Sequence, residues 1–283
     1  MYIPFIGALA LASGTILERI VLKIKKINIT FYQKISFLSI VLTMLPFLYF
    51  FWKLSPEALE IKNIIILLAI IIIAITANLL VFYSLKWEKV SRLEPARILE
   101  PLFVIILTVI LSFFITSGVY EKNIKIIIPA LIASLALVFS HIKKHHLDFN
   151  KYFIAAIFGS FFFALELVLS QLILNFYSPL TFYFFRSLGV FVISLLIFRS
   201  KTPKLEKNTF FLIFITGMIW VVYRIALYYG YATLGILSTT LVIMLGPVLI
   251  YIFAVLFLKE KLELRNIVAA VIIIACVAYA MLM

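Results

Sequence analysis

NIIILLAIIIIAITANLLVFYSLK, residues 63–86, carries no charge before its final lysine. A helix needs about 20 mostly apolar residues to cross the hydrocarbon core of a bilayer. This run exceeds that, and the rest of the chain repeats its character. Apolar segments fall near 2–22, 31–52, 63–86, 94–116, 124–141, 152–174, 179–198, 209–233, 236–258 and 265–283. The connections between them are short and polar, such as KIKKINIT (23–30) and RSKTPKLEKN (199–208). Unpaired backbone groups are too costly in lipid for an open chain to span it as anything but helix. The pattern therefore predicts an all-α integral membrane fold of ten transmembrane helices.

Composition agrees. Of 283 residues, 65% are hydrophobic and 13% charged, where a soluble domain has about half and about a quarter. The first apolar run lacks a basic leader and carries Glu18 and Arg19, so it reads as a span rather than a cleaved signal. A single cysteine, Cys276, excludes an intrachain disulfide framework. The net charge of +13 borders apolar spans, which argues against a nucleic-acid partner and for a multi-pass protein of the cell membrane, with the lipid bilayer as its surroundings. Lys23, Lys25, Lys26, Lys143, Lys144, Lys201 and Lys204 exemplify the basic odd-numbered connections. The even-numbered ones hold only Lys53, Lys62, Lys122 and Lys125. The positive-inside rule places the odd connections in the cytoplasm and both termini outside.

The chain also resembles itself. NLLVFYSLKWEKVSRLEPARILEPLFVII, from Asn78, aligns without gaps on RIALYYGYATLGILSTTLVIMLGPVLIYI, from Arg224, at an offset of 146. Asn78 falls on Arg224, Tyr83 on Tyr229 and Pro101 on Pro247. At an offset of 152, Gly7 falls on Gly159 and Lys34 on Arg186. This predicts two five-helix repeats, residues 1–146 and 147–283. An odd number of spans per repeat inverts one copy in the bilayer, an arrangement used by transporters with a central site.

The layout, together with LGPVLIYIFAVLFLKEKLELRN (245–266), resembles the drug/metabolite transporter superfamily, specifically its EamA-like group. The resembling features are Gly246 and Pro247, an apolar run, and Glu260 shortly before the last helix. The first half departs at Glu100, which stands where the second half has the small Gly246. The resemblance implies a cavity between the halves, lined mainly by spans one, three, four, six, eight and nine.

Polar residues inside the spans point to similar helices. Glu18, Glu94, Glu100 and Glu166 face a comparable set of cations, Arg19, Lys34, Arg97, Arg186 and Arg224. Each would cost about 2.5–3.5 kcal/mol at the bilayer centre on the insertion scale, so they should face one another or a wet cavity. Arg19, near its helix end, can instead snorkel. Glu94, Arg97 and Glu100 lie along one side of a helix, where Arg97 could bridge both carboxylates, although Glu94 could equally be interfacial. Pro95 is tolerable only near a helix start, whereas Pro101 and Pro247 should kink their helices.

Trp220, Tyr223, Arg224, Leu227, Tyr228 and Tyr231 share one helical face. An arginine among rings suits an anionic or zwitterionic ligand with a flat or apolar part. The candidate substrate contacts are thus Glu18, Asn78, Tyr83, Arg97, Glu100, Glu166, Trp220, Tyr223, Arg224 and Tyr228. Glu18 or Glu166 could carry a coupling proton, with an exchanged solute as the alternative partner. His141, His145 and His146 sit in a basic connection and read as solvated. No catalytic or phosphate-cradling motif is present, and no cofactor or metal is expected. These features predict a secondary transporter that moves a small organic metabolite by alternating access. A broad-specificity drug or amino-acid exporter is the near alternative; an intramembrane enzyme or a structural membrane protein are the distant ones.

Overall fold

The computed structural model describes residues 3–24, 27–88, 90–115, 120, 123–141, 150–199, 206–249 and 264–282. The described residues are almost entirely helical: α1 (Ile3–Leu22), α2 (Ile29–Phe51), α3 (Ile61–Trp87), α4 (Val90–Arg97), α5 (Leu99–Phe114), α6 (Ile124–His141), α7 (Lys151–Ser170), α8 (Pro179–Ile197), α9 (Lys207–Leu234), α10 (Ile236–Ile243) and α11 (Leu264–Leu282). Seven helices among the described residues are long and apolar enough to cross a membrane, one of them running Pro95–Phe114 through the end of α4 and all of α5. The apolar stretches Ile124–Ser140, Ile236–Leu249 and Ile267–Ala280 are shorter. Glu260, His145, His146 and the side chains of Glu94 and His141 lie outside the described residues.

Local chemistry sets several boundaries. The Asn28 side chain accepts from Phe31 N, and Asn150 accepts from Tyr152 N and Phe153 N. Ser178 accepts from Thr181 N, with Pro179 in the first turn, where its missing N–H costs nothing. Gly235, at φ 83°, separates α9 from α10.

The two predicted kinks are breaks in the helix. α4 stops at Arg97 and α5 resumes at Leu99; α10 stops at Ile243, Met244 is a turn, and helix resumes through residue 249. Pro101 lacks the N–H that would bond the Arg97 carbonyl, and Pro247 the one for Ile243. Each helix ends at the residue whose carbonyl the proline deprives. Pro95 departs from expectation, because it lies inside α4 rather than at its start. The short α4 ends two residues later, so few intrahelical bonds follow it.

The most extensive helix pairings are α3 with α7 and α1 with α9, followed by α6 with α11 and α2 with α8. α5 also packs on α7, and α10 on α1. Close approach of α7 to α3 requires Gly159: a Cβ there would lie 2.7 Å from Val81 Cγ2 and 3.4 Å from Val81 N. Arg19 does not snorkel as expected. It is buried and donates to the carbonyls of Leu85, at 2.9 Å, and Glu88, taking up acceptors left open at the C-terminus of α3.

Gly159→Val should therefore lower stability by about 1–3 kcal/mol through overpacking. Val81→Ala in the same protein should recover part of the loss, as read from thermal melting in detergent.

Candidate functional site

Glu166 of α7 is fully buried, and its carboxylate meets side chains of α8 and α9. Arg186 Nε of α8 donates to its Oε1 at 2.9 Å, as does the Tyr228 hydroxyl of α9, also at 2.9 Å. Arg224 Nη1 of α9 lies 3.4 Å from Oε2. One carboxylate thus sits between two guanidiniums. Both cations rest on rings: Arg186 lies 5.8 Å from the Phe37 centroid and 5.7 Å from Tyr183, and Arg224 lies 5.4 Å from Phe163 and 5.6 Å from Tyr223. Arginine tolerates such surroundings because its charge is delocalised, weakly hydrated and attracted to ring faces.

Beside this cluster lies a cavity that offers about 40 Å³ to the centre of a water-sized sphere. It is lined by Glu18 of α1, Ser36 and Phe37 of α2, Asn78 of α3, Arg97 of α4, Phe163 of α7, Arg186 of α8, and Trp220 and Arg224 of α9, among others. The space suits a few waters or one small functional group.

The predicted residues fall into three groups. Glu18, Asn78, Arg97, Trp220 and Arg224 line the cavity together. Glu166 and Tyr223 stand directly behind it, Glu166 through Arg186 and Arg224 and Tyr223 through Arg224, and Tyr228 backs Glu166 in turn. Glu100 has Arg224, Arg97 and Glu166 as charged neighbours and is not in the lining. Tyr83 is not gathered in: it packs on Tyr152, with ring centroids 5.3 Å apart. Glu18 has Arg97, Trp220 and Tyr32 as its polar neighbours. Arg97 is a charged neighbour of both Glu100 and Glu18, and its Nη2 donates to Thr15 Oγ1 at 3.2 Å; the Glu94 side of the bridge its spacing allowed lies outside the described residues. Asn78 donates from Nδ2 to the Ala74 carbonyl at 2.6 Å. Pro101 and Pro247 lie just beyond the helix breaks already described.

Arg186 was missing from the predicted contacts, although its charge inside an apolar span was a visible signal. Phe37, Phe163 and Tyr183 carried no such signal, since an aromatic in a membrane span is usually packing.

This gathering of charge within crossing apolar helices marks a multi-pass membrane protein with a polar centre. Residues 150–282, from the start of α7 to the end of α11, match the EamA-like transporter family, a group of membrane transporters within the drug/metabolite superfamily, as the sequence resemblance implied. No curated protein matches the chain. A solved structure, described only as the crystal structure of a protein, aligns with a TM-score of 0.66 at 12% identity, covering 100% of this chain and 98% of the other. That likeness supports the fold alone.

Glu166→Gln should destabilise the protein by about 3–5 kcal/mol, because it strands two buried cations. Arg186→Gln added to it should restore part of that stability, and thermal melting of the two variants beside the parent checks both outcomes.

Proposed function

We propose that the chain is a secondary transporter for a small organic metabolite, amino-acid-like and either zwitterionic or anionic. It works by alternating access between two inverted five-helix halves, residues 1–146 and 147–283, with ten spans in all. The observation that carries this reading is the charged, aromatic-walled cavity where helices of both halves meet.

The helix pairings support the inverted halves. Exchanging the halves turns the α1–α9 pairing into α7–α3 and the α5–α7 pairing into α10–α1, while α2–α8 and α6–α11 map onto themselves. A Cβ on Gly7 would lie 3.7 Å from the Tyr223 carbonyl oxygen, and one on Gly159 would lie 3.5 Å from that of Ala77. Tyr223 and Ala77 differ by 146 in number, as do the breaks at Met244 and Ile98.

The α2–α8 pair supports alternating access. At one end the helices are tied: Ser178 Oγ donates to the Phe51 carbonyl at 2.6 Å, Lys53 N to Thr181 Oγ1 at 3.2 Å, and Ser178 N to the Lys53 carbonyl at 3.2 Å. At the other end Lys34 Nζ reaches the Phe198 carbonyl at 3.2 Å. Along the pair, Gln33 and Ser194 bury side-chain polar atoms with no hydrogen-bond partner among the described residues. Such groups carry a desolvation cost of about 1–3 kcal/mol each, which water would relieve if the untied end parted.

Purified protein in liposomes should give saturable, substrate-specific counterflow. Flux without saturation would indicate a pore, and none across a broad metabolite panel would overturn transport. In a Cys276→Ala background, a cross-link between Lys34→Cys and Phe198→Cys should stop counterflow, whereas one between Phe51→Cys and Ser178→Cys should leave it running. Equal effects would rule out opening at the Lys34 end.

A further inference from the structure

Arg186 commits Nε to Glu166 but leaves Nη2 without an acceptor among the described residues, although the residue is only 1% exposed. Arg224 Nη1 and Glu166 Oε2 face each other at 3.4 Å, an ion pair in which neither atom completes a hydrogen bond among the described residues. Trp220 Nε1 is a third buried donor: it neighbours the Glu18 carboxylate but completes no well-formed hydrogen bond among the described residues. All three side chains line the same cavity. Buried donors are rarely left unpaired, and each needs an explanation. Here the three have one explanation in common.

We infer that Arg186 Nη2, Arg224 Nη1 and Trp220 Nε1 form a receptor for the carboxylate of the transported solute. This rests on the transporter reading only in naming the ligand as the solute. A carboxylate is planar, with about four lone-pair directions on its two oxygens, so it can accept from two guanidinium forks and an indole together. Glu166 serves as the built-in anchor: with Tyr228 on its Oε1, it fixes the Nε edge of Arg186 and turns the remaining fork toward the cavity. The incoming group competes with Glu166 for Arg224, the looser of the two pairings at 3.4 Å against 2.9 Å. Phe37, Phe163 and Tyr183 wall the space, which favours a flat or apolar body behind the carboxylate.

The surrounding charge narrows the ligand further. A simple carboxylate adds one negative charge to this cluster, whereas a zwitterion adds none. Glu18 lines the cavity and would take an ammonium. The carboxylate is common to both ligand types.

The full chain in detergent micelles is titrated with phenylacetate, indole-3-acetate and 4-methylpentanoate, each beside its amide and its amine, while the melting temperature is followed. At least one carboxylate should raise it saturably, and its amide and amine should not. Trp220→Phe keeps the ring, removes the donor and should weaken binding by about three- to tenfold. Arg186→Lys keeps the charge, loses the fork and should weaken it by about tenfold or more. Carboxylates no better than amides, or unchanged affinity in Trp220→Phe, would overturn the receptor. If Arg186→Lys lowers the melting temperature of the free protein, Trp220→Phe alone decides. Adding an α-amino group to the bound carboxylate separates the sources: tighter binding assigns the site to zwitterions, and equal or weaker binding to simple anions. Carboxylate binding without counterflow would remove transport and leave the receptor standing. Counterflow of a solute indifferent to carboxylate would do the reverse.

Discussion

The buried carboxylate of Glu166, held between Arg186 and Arg224, is the interaction on which the centre of this molecule depends. In an apolar medium neither cation is tolerable alone, and one anion shared between two is an incomplete solution. The rings beneath the guanidiniums and the Tyr228 hydroxyl on Oε1 supply part of what is missing. Three helices, α7, α8 and α9, are fixed against one another by these contacts. The crossing of α1, α2, α3 and α4 around them encloses the cavity.

Much of this was legible in the sequence, because charge inside an apolar run has a cost that must be answered somewhere. Glu18, Arg97, Trp220 and Arg224 line the cavity, and Glu166 and Tyr228 back it, for that reason. What the sequence withheld is pairing. Glu166 lies 20 residues from Arg186, and only the way α7 crosses α8 brings them together. Tyr83 was drawn into the predicted set by its alignment with Tyr229, but repeat correspondence does not fix which way a ring faces. Arg19 looked free to reach the membrane surface. The open carbonyls at the end of α3 were a nearer and drier partner, and no local pattern announces them.

The two proposed halves differ at positions that correspond in sequence. Gly246 lets α10 and its continuation approach the Ala8 carbonyl so closely that a Cβ would sit 3.2 Å from it. At the matching position the first half carries Glu100, with Arg224, Arg97 and Glu166 as its charged neighbours. The first half thus brings a third carboxylate to the centre at the place where the second half uses glycine for tight packing. On the proposed repeat, similar packing and different chemistry coexist because each depends on different residues.

The bonds that join the end of α2 to the start of α8 have a mechanical consequence. A helix of 23 residues at a rise of 1.5 Å per residue is a lever about 34 Å long, so tilting α2 by about 10° around that tied end would swing its far end by about 6 Å. That displacement is wider than a flat ring is thick. Under the proposed alternating access, the carbonyl and hydroxyl contacts near Phe51 and Ser178 would serve as a fulcrum, and a small rotation there would change a space for a few waters into a passage for a solute.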